Sequence, residues 1–72
     1  MDLKRALATN LVRERNDRGL TQEALADLAG ISYRYLGSIE RGRVAISITV
    51  LGKLAEALRI DAGQLIATKR KG

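Results

Sequence analysis

The chain has no cysteine, no histidine and no proline. Without cysteine there can be no disulfide, no thiolate metal site and no thiol nucleophile. Without histidine the usual general base and the commonest zinc ligand are gone. A catalytic base would have to be Asp, Glu, Lys or Tyr, and no two carboxylates fall on one convincing concave face. Neither an enzyme nor a bound metal or cofactor is therefore expected. Phenylalanine and tryptophan are also missing, and only two tyrosines are present. The core must be built from Leu, Ile, Val and Ala, which suits packed helices. The lack of proline and of β-branched runs points the same way, to an all-α chain. No apolar run approaches the roughly 20 residues that a membrane span needs, and no signal-peptide pattern opens the chain. A cytoplasmic protein is expected.

What remains is a 72-residue chain, 46% hydrophobic, with a net charge of +5. That length is one domain, and a domain so short buries only about 60% of its unfolded surface. Its core is thin, and pairing with a second copy would help it. An excess of cation favours polyanionic partners, nucleic acid first and an anionic membrane second, although solubility alone also accounts for such a charge.

Periodicity and capping residues divide the chain into five helices. The first spans about 2–18, where Leu3, Leu7, Leu11 and Arg15 form a row widened by Ala8 and Val12, and Gly19 stops it. Thr21 caps the second, whose inward face reads Ala24, Leu25, Leu28 and Ala29 before Gly30. Ser32 caps the third, with Leu36 and Ile39 inward and a stop at Gly42. Ser47 caps the fourth, which turns Leu51, Leu54, Ala55 and Leu58 to one side. Gly52 inside it costs about 1 kcal/mol against alanine, so a close neighbour is expected there. Asp61 and Gln64 form a capping box for a short last helix holding Leu65 and Ile66. The reading is a compact five-helix bundle over residues 1–66, followed by a basic flexible tail over 67–72 that carries Lys69, Arg70 and Lys71.

The informative stretch is 21–41. Only Ala29-Gly30-Ile31 separates two short helices, so the second must cross the first steeply and leave one face outward. On a helical wheel that face holds Arg34, Gly37, Ser38 and Arg41, flanked by Tyr33 and Tyr35. Cations and hydroxyls without a large aliphatic side chain can enter a major groove and reach base edges.

Thr21-Gln22-Glu23-Ala24-Leu25-Ala26, the turn glycine Gly30 and Tyr35-Leu36-Gly37-Ser38-Ile39-Glu40-Arg41-Gly42 together resemble the phage-repressor (Cro/Xre-like) helix-turn-helix family. The similarity extends to Leu58 and covers roughly four-fifths of the chain. Two positions depart from it: Ile46 stands where many relatives have proline, and Gly52 interrupts a helix usually filled by better formers. The resemblance implies a lambda-repressor-like fold and a transcriptional regulator that binds double-stranded DNA sequence-specifically. It implies that Ser32, Tyr33, Arg34 and Ser38 meet bases or the adjoining backbone. Gln22 would bind a phosphate and brace the recognition helix, and Tyr35 and Arg43 match positions that touch phosphate. Arg41, a cation at the end of the same face, is read with them as a phosphate contact.

One pair follows from spacing. Arg15 continues the row of Leu3, Leu7 and Leu11, and Glu40 sits one turn after Leu36 on the inward side, so the two are expected to form a partly buried, structural ion pair. Related repressors pair arginine and glutamate at these places. Ile46, Ile48, Val50, Leu65 and Ile66 are more apolar residues than a small core needs, and are read as a homodimer interface serving a near-palindromic operator. No pocket for a small-molecule effector is visible. Stand-alone chains of this pattern also resemble the controller proteins of restriction–modification systems. The competing class is a protein-interaction module, such as an antitoxin or adaptor with secondary DNA binding. A membrane-surface helix is disfavoured, because the cations are spread over several segments.

Overall fold

Helices form where a side-chain acceptor stands just ahead of an apolar stripe. The computed structural model describes residues 2–68. It contains α1 (Leu3–Asp17), α2 (Gln22–Ala29), α3 (Tyr33–Glu40), α4 (Ile48–Leu58) and α5 (Ala62–Ile66), with no strand among the described residues. Asp2 Oδ1 accepts from the Lys4 and Arg5 N–H groups, Thr21 Oγ1 from Ala24, Ser32 Oγ from Tyr35 and Ser47 Oγ from Val50. Gln64 Oε1 reaches back to the Asp61 N–H at 3.0 Å. Each cap satisfies a donor that has no partner inside its helix.

The stops are equally local. After α1, α2 and α3 the backbone turns left-handed at Gly19, Gly30 and Gly42. A carbonyl in the last turn is then closed by the residue beyond, as in Ile31 N–H to Ala26 O at 3.0 Å. The same turn ends α4, with Ile60 N–H on Ala55 O, but there the left-handed residue is Arg59 at φ 60°. An L residue pays about 1–2 kcal/mol for that conformation, so the sequence carries no glycine signal for this stop.

The core joins Leu7 and Leu11 of α1, Leu25, Ala26 and Ala29 of α2, Leu36 and Ile39 of α3, Leu54, Ala55 and Leu58 of α4, and Leu65 of α5. Four expectations need correction. Leu28 is 61% exposed: the buried stripe of α2 is Leu25, Ala26 and Ala29, and Leu28 stands about 100° round the helix from its centre. Leu3 lies in the first turn of α1, ahead of the packed region, and is also exposed. Leu65 is fully buried within its own chain and has no surface to offer a partner. Gly52 is exposed and a Cβ there would meet nothing within 4 Å, so no neighbour within the chain accounts for it.

A buried amide closes the bundle. Asn10, 7% exposed, donates from Nδ2 to Leu65 O at 2.9 Å and Ala67 O at 2.8 Å, while Oδ1 accepts from Arg13. These carbonyls at the end of α5 have no helical partner, and α1 supplies one. The first residue assigned to the tail is thus tied to α1; Lys69, Arg70 and Lys71 lie outside the described residues. Asn10→Ala is expected to lower stability by about 1–3 kcal/mol, because the buried carbonyl loses its donor. Urea denaturation checks this, and an unchanged midpoint would refute it.

Arg18 ties α1 to α4 through Leu58 O at 3.1 Å and pairs with Glu14 at 2.7 Å. That hydrogen bond, with Arg13 adding to it, holds the Glu14 carboxyl below the usual carboxylate range.

Candidate nucleic-acid interface

The left-handed Gly30 ends α2 and Ser32 already caps α3, so the two helices share one tight turn. Burial of Leu36 and Ile39, both at 1% exposure or less, fixes the rotation of α3 about its axis. What then faces solvent follows from 100° per residue. Ser32, Tyr33, Arg34, Arg41 and Arg43 are exposed, and Ser38 is half-buried. Tyr35 is half-buried with its ring against the edge of the core. The outward face differs from the helical wheel at one place. Gly37 is buried, because the Arg41 side chain lies against it: a Cβ on Gly37 would stand 3.5 Å from Arg41 Nη1.

A network behind this face sets the position of α3. Arg15 grips Glu40 with two bonds, Nε to Oε2 at 2.7 Å and Nη2 to Oε1 at 3.0 Å, and Nη1 donates to Leu20 O at 2.8 Å. Gln22 Nε2 adds a third donor to Glu40 Oε1 at 2.8 Å. The Glu40 side chain is only 4% exposed and that of Arg15 14%. A carboxylate so buried is stable only when paired and hydrogen-bonded, and this one is both. Three helices meet there: α1 through Arg15, α2 through Gln22 and α3 through Glu40. The first residue of α2 thereby braces the last residue of α3.

The electrostatic consequence is directional. The negative charge at the end of α3 is spent on Arg15, whereas Arg34, Arg41 and Arg43 belong to none of the ion pairs among the described residues. The outward side of α3 is therefore cationic and unneutralised, which suits a phosphate-lined groove. No group of three or more His, Cys, Asp or Glu that could hold a metal occurs among the described residues. No described helix is long and apolar enough to cross a membrane.

Sequence reasoning missed two features. Asn10 stands on the same side of α1 as Leu7 and Leu11, a polar residue in an apolar row, and that misfit is the signal that could have marked it. The contact between Gly37 and Arg41 was latent in their spacing of one turn.

Residues 11–65 match the HTH_3 helix-turn-helix family. This chain belongs to that family. It is a transcriptional regulator with a DNA-binding fold, and not an enzyme. It is 38% identical to the uncharacterised HTH-type transcriptional regulator y4dJ of Sinorhizobium fredii, covering 92% of this chain and 86% of that protein. The control protein C.SmaI of Serratia marcescens is also 38% identical, over 92% of this chain and 79% of its own length. The crystal structure of the restriction–modification controller protein C.AhdI from Aeromonas hydrophila superposes with a TM-score of 0.83 at 37% identity, covering 86% of this chain and 94% of that one.

Proposed function

We propose that the protein binds a near-palindromic DNA operator as a homodimer, laying α3 in the major groove of each half-site, and acts as a controller-type regulator at the nucleoid. The observation that carries this reading is the exposed cationic face of α3, held in place by the Arg15–Glu40–Gln22 network. Arg34 lies in the middle of that face and belongs to none of the ion pairs among the described residues, which supports a bidentate contact to guanine. Ser32, Tyr33 and Ser38 contribute further base or adjoining contacts. Gln22, Tyr35 and Arg43 set register on phosphates: the Gln22 and Glu23 N–H groups open α2 without helical partners, the usual chemistry of an anion-facing helix end.

Dimerisation is supported by Ile48, 87% exposed at the start of α4, beside the half-buried Ile46 and Val50. Gly52 lies one turn further on, also exposed, and its missing side chain leaves room for a partner helix to come close. Ile66 of α5, half-buried, is the further apolar residue assigned to this interface. Pairing about a two-fold axis would set the two recognition helices about 34 Å apart, one turn of DNA. The controller assignment draws on C.SmaI and C.AhdI, whose names give that role.

Selection of binding sites from random duplex DNA tests the whole reading. The expected result is a symmetric motif with half-sites one helical turn apart, bound with an affinity that falls steeply with salt. Arg34→Ala is expected to relax preference at one base pair per half-site by about 5- to 150-fold. Recovery of no motif would end the proposal.

A further inference from the structure

A glycine inside a helix costs about 1 kcal/mol against alanine, so its presence calls for a reason. Gly37 sits in the middle of α3, the helix that carries the outward face. Its backbone does not require glycine, since the left-handed glycines are 19, 30 and 42. The core does not require it either. Apart from adjacent residues and the helix's own backbone, a Cβ on Gly37 would meet within 4 Å only the Arg41 guanidinium, Nη1 at 3.5 Å and Nη2 at 3.9 Å.

Helical side chains lean toward the N-terminus, and residues four apart lie one above the other. Arg41 follows this rule from the end of α3. Its guanidinium runs back one turn to the level of Gly37 and does not extend beyond the helix end. That brings it onto the middle of the outward face, in register with Arg34 three residues before Gly37 and with Ser38 beside it. Arg41 takes part in none of the ion pairs among the described residues, so none of their carboxylates fixes it elsewhere.

We infer that Arg41 reads a base edge alongside Arg34, and that Gly37 is the seat that places the Arg41 guanidinium there. This departs from the phosphate role that a cation at a helix end suggests. It rests on the reading that α3 enters the major groove. A larger residue at position 37 would fill the seat and push the guanidinium outward, and lysine at 41 would keep the charge but lose the planar fork that matches guanine. Gly37 is thus a positioning residue, acting on DNA through Arg41.

Binding-site selection with the full-length protein, Arg41→Lys, Arg41→Ala and Gly37→Val distinguishes the roles, with circular dichroism confirming helical content for each. Expected for all three variants is loss of preference at the same base pair, by about 5- to 150-fold, a different pair from the one Arg34→Ala relaxes. Arg41→Lys should keep the wild-type salt dependence, because its charge is kept. If Arg41→Ala selects the wild-type motif, with uniformly weaker binding and a salt slope smaller by about one, Arg41 is a phosphate contact and the inference fails. If Gly37→Val keeps the wild-type preference, the seat is refuted. Failure of the wild-type protein to select any motif would instead remove the DNA reading beneath it.

Discussion

Glu40→Ala is expected to destabilise the fold by about 3–5 kcal/mol, since it leaves the largely buried Arg15 side chain without its carboxylate. Two further losses accompany this one: Gln22 Nε2 loses its acceptor, and the last turn of α3 loses its tie to α1 and α2. A domain of this length is stable by only about 4–11 kcal/mol, so the variant would stand near the edge of folding. Urea denaturation of the wild type, Glu40→Ala, Arg15→Met and the double variant Arg15→Met/Glu40→Leu measures it. The double variant should recover most of the loss, because neither charge is then left alone. A single-variant loss under about 1 kcal/mol would show that the pair behaves like a solvent-screened surface bridge. DNA affinity should fall even where the fold survives, since α3 would no longer be held at a fixed angle.

Ile48→Asp is expected to act on function and spare the fold. The side chain is 87% exposed, so the substitution removes almost no contact within the chain. At a two-fold interface it places two carboxylates close together, one from each copy, in surroundings that are apolar in the wild type. Sedimentation should then show a monomer at concentrations where the wild type pairs. Binding to the full operator should weaken by about 100- to 10,000-fold, the gain that linking two sites provides, while binding to a single half-site stays the same. A dimeric Ile48→Asp protein with wild-type operator affinity would exclude α4 as the interface.

The two variants probe different levels of the molecule. Glu40 concerns whether α3 is in place, and Ile48 the proposed pairing that would bring two copies of α3 together. Asn10→Ala belongs with the first, since it loosens the seam between α1 and the end of α5. Arg34→Ala and the Arg41 variants are expected to leave both levels intact and to change only the base preference proposed for the outward face.

Much of this was legible because it is local. Thr21, Ser32 and Ser47 bond to an N–H three residues ahead, and Gly19, Gly30 and Gly42 supply the left-handed step that ends a helix. Such interactions are complete within a few residues, so type and spacing are enough to read them. The Arg15–Glu40 pair was readable for a related reason: each charge continues an apolar row, and a charge in such a position needs a partner of opposite sign. The outward face of α3 followed from the inward one.

The sequence therefore determined the helices, their caps, most of the core and the helix-turn-helix segment with its outward face. Only the tertiary structure decided which side of each short helix its neighbours leave open. α2 is mostly apolar, so Ala24, Leu25, Ala26, Leu28 and Ala29 leave more than one side open as its stripe, and α5 has little more than one turn; Leu28 is exposed and Leu65 buried, the reverse of what the apolar pattern suggests. Arg59 ends α4 without glycine because the Ile60 bond to Ala55 and the packing of α5 hold a turn that its own conformational preference opposes. Asn10 is buried because the carbonyls of Leu65 and Ala67 arrive beside it from more than fifty residues away, a meeting that no local pattern encodes.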